Sequence, residues 1–223
     1  GKGSTVKEIS CKRVTSRRGG LPPYTLALVL LLLGGACSPV PENHYFTMAY
    51  SLLPGQPPAR RSGTLRVRPF DIGPAYDTER IVYRHSPYEF QYYNFMKWAT
   101  KPQKMITDLV VRHLRHSRVF DRVGSDFPDE APDYELSGEI LAIEELDSGD
   151  EWYAHLALNL HLTRYRSERV IWSRGIDVKK RVYNKAPVYV VKALSELLEE
   201  QMQLVVKQLA GVLGKAGEEG RRS

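Results

Sequence analysis

Residues 152–165 read Trp-Tyr-Ala-His-Leu-Ala-Leu-Asn-Leu-His-Leu-Thr-Arg-Tyr, and this alternation decides the fold. A period of two is that of a β-strand, whose successive side chains point to opposite faces of a sheet. One face is all leucine: Leu156, Leu158, Leu160 and Leu162. The other face is mostly polar: His155, Ala157, Asn159, His161 and Thr163. We expect the leucine face to be buried and the polar face to meet solvent, with contact to a lipid or protein partner as the alternative.

Strand patterns continue on both sides of this stretch. A long strand is predicted over about Tyr134–Leu146, joined to it by the polar turn at residues 147–150. A third covers Val170–Ser173, and Ile176–Val178 extends it or pairs with it. Shorter strands are predicted nearer the N-terminus: His44–Tyr50, Thr64–Phe70, Arg80–Arg84, Glu89–Tyr93 and one beginning at Val119-Phe120.

Two segments have helical periodicity instead. Pro102 suits the first turn of a helix that carries an apolar face to Leu114. A second helix is expected from about Val188 to Leu213, ended by Gly214. The predicted fold class is therefore α+β, a two-layer domain with an antiparallel or mixed β-sheet packed against two amphipathic helices.

The N-terminus has the pattern of an export signal. Basic residues precede the apolar run 26–33, and Gly34-Gly35-Ala36-Cys37-Ser38 follows it. The run is too short for a stable helical span, which takes about 20 residues. We predict a lipoprotein signal peptide over 1–36, lipidation at Cys37, a tether over 37–42, a domain over 43–214 and a disordered tail over 215–223. An ordinary secretory signal cleaved near Ala36 is the alternative.

Charge and cysteine content restrict the partners. The chain has 32 Lys+Arg and 26 Asp+Glu, of which six and one lie in residues 1–36, so 26 and 25 remain after cleavage. The predicted mature chain is thus nearly neutral and lacks the clustered basic excess of a nucleic-acid-binding protein. Cys37 would be its single cysteine, which leaves no intramolecular disulfide.

No motif in the sequence predicts catalysis, a metal site or a cofactor. His113 and His116 lie three apart on the first helix, but no third ligand is implied. Carboxylates crowd one hairpin: Glu139, Glu144, Glu145, Asp147, Asp150 and Glu151. We interpret them as a solvated edge that resists edge-to-edge pairing, with a glycosidase-like pair as the alternative.

The densest aromatic segment lies around the predicted second hairpin. Its members are Tyr76, Tyr83, Tyr88, Phe90, Tyr92, Tyr93, Phe95 and Trp98, with Arg80 and Arg84 among them. Aromatic residues and arginine are enriched in protein–protein hot spots. The segment predicts a partner-binding surface made of Arg80, Tyr83, Arg84, Tyr92 and Trp98. The alternative is that about half of the aromatic side chains are buried in the core.

The same segment resembles a known family. The motif Asp77-x-x-Arg80-Ile81-Val82-Tyr83-Arg84-x-Ser86, then Tyr92-Tyr93, then Trp98-Ala99-x-x-Pro102 resembles the PqiC-like ABC-type transport auxiliary lipoproteins. The resemblance extends from about Tyr45 to Leu209 and agrees with the predicted signal and fold. The departures are the lipobox, with Gly34 where leucine is usual, and the long leader.

The resemblance implies a non-enzymatic accessory subunit without cofactor. Its expected partners are an MCE-domain protein and an ABC transporter permease complex that move lipids or hydrophobic compounds. Relatives are homo-oligomers held to the membrane by the N-terminal lipid. Ser38, in place of aspartate, favours the periplasmic face of the outer membrane. A lipid-anchored cell-wall hydrolase or a purely structural envelope lipoprotein is the alternative.

Overall fold

The computed structural model describes residues 41–52, 63–128 and 130–219, the last five as backbone. The predicted signal and Cys37 lie outside these residues. In chain order the elements are β1 (His44–Phe46), β2 (Thr64–Val67), β3 (Asp71–Ile72), β4 (Arg80–Ser86), β5 (Glu89–Trp98), α1 (Pro102–Ser117), β6 (Arg122–Gly124), β7 (Tyr134–Asp147), β8 (Trp152–Arg164), β9 (Arg169–Val182) and α2 (Pro187–Glu219). Neither helix is long and apolar enough to cross a membrane over the described residues.

The centre of the sheet is an antiparallel meander of β7, β8 and β9. Asp147 pairs with Trp152 on β8, and Trp152 in turn pairs with Val182 on β9. The four leucines of the alternating stretch are fully buried, which confirms the leucine face. The two predicted pieces of the third strand form the single strand β9.

The other side of β7 is covered by three strands in succession. β2, β3 and β4 each pair with β7 in parallel along its length. β5 returns antiparallel beside β4, while β1 lies parallel to β5 and β6 parallel to β2. The sheet is therefore mixed. Both helices contribute to the same hydrophobic core as the sheet, which gives the α+β architecture expected.

Several boundaries differ from expectation. β1 and β2 end at Phe46 and Val67, before the predicted Tyr50 and Phe70, whereas β5 continues past Tyr93 to Trp98. Val119 and Phe120 are buried but precede β6, because Arg118 closes α1 with a left-handed backbone (φ 56°) and the chain must turn before it pairs. α2 does not end at Gly214 but runs to Glu219, so part of the predicted tail is helical. Gly214 does not adopt the positive φ that a helix-ending glycine uses, and helical glycine is permitted sterically.

Candidate functional site

The base of the β4–β5 hairpin lies against two consecutive buried glutamates of β7. Glu144 is fully buried and Glu145 nearly so, although the sequence predicted a solvated edge here. That expectation was wrong for both residues. The cause is the position of β7, which has β4 on one side at this level and β8 on the other. Consecutive side chains on a strand point to opposite faces, so each glutamate has its own surroundings.

Glu144 is the centre of a hydrogen-bonded charge network. Its Oε1 accepts from Arg84 Nη2 at 2.6 Å, and its Oε2 accepts from the Tyr76 hydroxyl at 2.5 Å. Nδ1 of His155 lies 2.8 Å from Oε1. Burial raises the pKa of Glu144, but the hydrogen bonds from His155, Tyr76 and Arg84 outweigh it and hold the pKa below its usual range. Glu144 is therefore a carboxylate that ties β4, β8 and the β3–β4 loop together.

His155 is buried, whereas the alternation predicted an exposed side chain. Its Nε2 lies 2.9 Å from Asp177 Oδ1, so both ring nitrogens face carboxylate oxygens. An imidazole engaged in this way has no nitrogen left to take a proton from a substrate. On the same face His161 is exposed, as expected, whereas Ala157 is buried.

Glu145 faces the other side of the sheet. The Tyr93 hydroxyl donates to its Oε2 at 3.0 Å, and the Tyr93 ring lies 4.5 Å from that of Tyr83. Burial raises the pKa of Glu145, and among the described residues no cation lies as close to Glu145 as Arg84 lies to Glu144. The two glutamates thus fasten the hairpin to β7 from both faces.

The structure places the predicted partner-binding residues at different depths. Arg80 is exposed, with its guanidinium 4.6 Å from the Tyr92 ring centre. Tyr83 and Tyr92 are half-buried. Trp98 is only 2% exposed. The guanidinium of Arg84 pairs with Glu144 and lies 4.9 Å from the Phe90 ring centre. Arg80, Tyr92 and Arg84 lie on the Glu144 face of the hairpin. Tyr83 lies beside Tyr93 on the Glu145 face, so the five residues do not form one continuous surface.

The outer edge of β5 is a feature that the sequence did not predict. β1 pairs only with Met96–Trp98, and no described strand pairs with the outer edge from Glu89 to Phe95. Residues 90–95, Phe-Gln-Tyr-Tyr-Asn-Phe, carry no formal charge and no proline, the usual protections of an edge strand. The aromatic run predicted β5 itself. No pattern in the sequence predicted which strand pairs with its outer edge.

Over the described ranges, Glu144 and His113 are both buried and in contact with neighbouring side chains. A glycosidase needs an accessible acid with a raised pKa. The pKa of Glu144 is lowered, and Glu145, whose pKa is raised, is only 3% exposed. His113 is buried with Nδ1 3.2 Å from the Tyr50 hydroxyl, and burial lowers its pKa to about 4. Among described residues, no three His, Cys, Asp or Glu side chains are grouped as metal ligands would be.

Comparison with known families decides the relationship. A family model described as "ABC-type transport auxiliary lipoprotein component" matches residues 50–206, which include the whole β4–β5 hairpin and Glu144. The chain belongs to this family. The match confirms the resemblance inferred from the hairpin motif. None of the curated proteins matches the auxiliary lipoprotein.

Solved structures share the fold of this auxiliary lipoprotein. Protein XCC0632 from Xanthomonas campestris superimposes with a TM-score of 0.66 at 24% identity, covering 79% of this chain and 99% of that one. A crystal structure of an uncharacterized protein gives a TM-score of 0.62 at 14% identity, covering 75% and 99%. At these identities the similarity shows the fold alone.

Proposed function

We propose that this auxiliary lipoprotein is a non-enzymatic accessory subunit of an MCE/ABC-type envelope transport system for lipids or hydrophobic compounds. It is anchored through lipid on Cys37 at the periplasmic face of the outer membrane and acts as a homo-oligomer. Family membership supports the association with an ABC transport system. The apolar run before Gly34-Gly35-Ala36-Cys37 supports the anchor, and Ser38 supports outer-membrane sorting.

The observation that carries the proposal is the open edge of β5 on a rigid hairpin. An extended segment of the MCE-domain partner adds to the edge between Glu89 and Phe95 through main-chain hydrogen bonds. Arg80 and Tyr92 supply side-chain contacts on one face of the hairpin and Tyr83 on the other, with Arg84 half-buried and Trp98 buried. Because Glu144 and Glu145 already hold the hairpin in place, little conformational entropy is lost on binding.

The non-enzymatic role is supported by the buried carboxylates. Glu144 has its oxygens occupied by Arg84, Tyr76 and His155, and Glu145 accepts from Tyr93. These contacts fit carboxylates that stabilise a binding surface.

The experiment is affinity purification of the tagged, lipidated protein from its own envelope in mild detergent, with mass spectrometry of what it retains. We expect an MCE-domain protein and an ABC permease. Phe95→Lys should lose most of this recovery, because Phe95 is 43% exposed beside the open edge. Leu204→Lys is the matched control, since Leu204 on α2 is 42% exposed and receives the same charge.

Two further variants sharpen the result. Arg80→Glu removes the stacking on Tyr92 and reverses an exposed charge, and it should also lose the partner. Full recovery by Phe95→Lys and Arg80→Glu would contradict the hairpin surface. Absence of any MCE or ABC component from the wild-type preparation would contradict the transport role itself.

The anchor has its own test. Cys37→Ser should abolish labelling by a fatty-acid analogue, because the thiol is the acceptor of the lipid. Persistent labelling of this variant would exclude Cys37 as the anchor.

A further inference from the structure

The turns of the central strands gather at one end of the sheet, here called the turn end. It comprises the β4–β5 turn, the β7–β8 turn and the β9–α2 loop. The strand pairing requires this arrangement, because Arg84 is level with Leu146, Asp147 with Trp152, and Trp152 with Val182. All of these residues lie close to the ends of their strands, so the three connections lie at the same end of the sheet.

Exposed tyrosines occupy two of the three connections. Tyr88 in the β4–β5 turn is 94% exposed, and Tyr183 in the β9–α2 loop is 86% exposed. Tyr189, in the first turn of α2, is also exposed. Lys185 Nζ lies 3.9 Å from the centre of a Trp152 ring. Tyrosine and tryptophan with lysine nearby are the residues that membrane proteins place at the boundary between headgroups and acyl chains.

Ionisable side chains at the turn end already contact one another. Arg181 contacts Glu151 at 3.0 Å, and His85 contacts Asp147 at 3.1 Å. Attraction to an anionic membrane needs an unpaired basic cluster. The composition of the turn end instead suits the interface of a largely zwitterionic bilayer, where aromatic rings contribute most.

The path of the chain into β1 leads towards the same end. β1 is parallel to β5, with His44 level with Met96, and β5 begins at the turn end with Glu89. The chain before His44 therefore enters from the direction of the turn end. At roughly 3.3 Å per residue, the seven residues 37–43 can span at most about 23 Å. The seven steps along β5 from Glu89 to Met96 cover about the same distance. A lipid on Cys37 can then lie about level with the turns.

We propose that the turn end rests on the lipid surface, with the rings of Tyr88 and Tyr183 in the interfacial layer. The inference rests on the proposed anchoring at Cys37 and adds the orientation of the domain. β5 then rises from the membrane, with Glu89 nearest the bilayer and Trp98 farthest from it. The opposite end of the sheet, with the turn around Ser167, points away from the bilayer.

The experiment uses the lipidated mature protein in vesicles of phosphatidylethanolamine and phosphatidylcholine. Tyr88→Cys and Tyr183→Cys each supply one free thiol for an environment-sensitive fluorophore, because Cys37 is occupied by lipid. Ser167→Cys, exposed at the opposite end, is the matched control. We expect the labels at 88 and 183 to shift to the blue and to lose about half of their emission to nitroxide lipid, as a group in the interfacial layer should. The label at 167 should do neither.

The outcomes separate the orientation from the anchor. Flotation with the vesicles together with aqueous labels at 88 and 183 overturns the orientation and leaves the anchor intact. Failure to float overturns the proposed anchoring, and the orientation with it. A blue shift that nitroxide lipid does not quench assigns the turn end to a protein contact and overturns the lipid contact. A quenched label at 167 overturns the proposal as well.

Discussion

Glu144 and Glu145 are neighbours in the chain, yet their surroundings shift their pKa values in opposite directions. Arg84 and His155 lie within hydrogen-bond distance of Glu144, while Glu145 accepts from the neutral hydroxyl of Tyr93. The contribution of Glu144 to stability is present above its unfolded pKa and is lost as the pH falls through its lowered folded pKa. Glu145 stabilises the fold at low pH, and this contribution is lost as the pH rises above 4.5 through its raised folded pKa.

The same substitution at these two positions should therefore have different effects at neutral pH. Glu144→Gln should lower the free energy of unfolding by roughly 2–4 kcal/mol, because Arg84 loses its buried counter-charge. Glu145→Gln should remain within about 1 kcal/mol of wild type or exceed it, because the amide oxygen still accepts from Tyr93 and no charge is buried. Urea unfolding at pH 7 measures both, and each variant controls for the other. Equal losses would refute the assignment.

His113 should make stability depend on pH in the acidic range. Burial lowers the pKa of His113 from 6.5 to about 4, and the positive charges of His116 and Arg112 add to the effect. Between pH 4 and pH 6.5, His113 therefore binds a proton in the unfolded chain but not in the folded chain. Stability should fall as the pH drops from about 6.5 to 4, by up to roughly 3 kcal/mol from this residue. His113→Gln should keep a partner for Tyr50 and flatten this part of the curve. Unfolding free energies at pH 5.0 and 7.5 test it, and an unchanged slope in the variant would count against the buried neutral imidazole.

At the scale of elements, β5 is paired along its inner side, whereas its outer side pairs only with β1 among the described strands. Its inner side pairs with β4, and the hairpin is fastened by the two glutamates, whereas only its last three residues pair with β1. An uncharged, aromatic-rich edge of this kind tends to recruit another strand. The element therefore provides the partner surface in the proposed function, and Phe95→Lys tests the edge without entering the core.

Two glycines differ in the space around them, one on a packed strand and one on a helix. Cβ added to Gly138 on β7 would lie 2.8 Å from the Phe70 ring, whereas Cβ added to Gly211 on α2 meets nothing within 4 Å. Gly138→Ala should lower the free energy of unfolding by about 1–3 kcal/mol through overpacking. Gly211→Ala should raise it by about 0.5–1 kcal/mol through helix propensity. Thermal unfolding of both variants checks the contrast, and destabilisation by Gly211→Ala would show that α2 is not helical there.

At the scale of the whole molecule, both helices and the sheet share one core, so they should unfold together. Ile106 on α1 and Leu198 on α2 are both fully buried in it. Ile106→Ala and Leu198→Ala should each lower Tm by roughly 5–15 °C, since truncation costs about 2–5 kcal/mol. Far-UV circular dichroism and tryptophan fluorescence should give the same midpoint for each variant. Leu204→Ala, at an exposed position, should change Tm little, and separated midpoints would indicate two folding units.

Local patterns were sufficient for a large part of this description. The alternation through Leu156 and Leu162 predicted β8 and its buried face, because a strand repeats every two residues. Helical spacing predicted α1 and α2, and the motif from Asp77 to Pro102 identified the family that matches residues 50–206. The end of α2 was misplaced, because a glycine signals a helix end only when it adopts positive φ, which composition does not reveal.

Tertiary structure alone decided which polar residues are buried and which strand edge is open. Arg84 and Glu144 are 60 residues apart in the chain, and Tyr76 and Glu144 are 68 apart, so no local pattern relates them. Parallel pairing of β2, β3 and β4 along β7 brings these groups together and encloses them. The sequence by itself therefore determined most of the elements, the leucine face of β8 and the family, since these depend on local spacing. The buried network and the free edge of β5 depend on long-range pairing, which is set only when the whole sheet assembles.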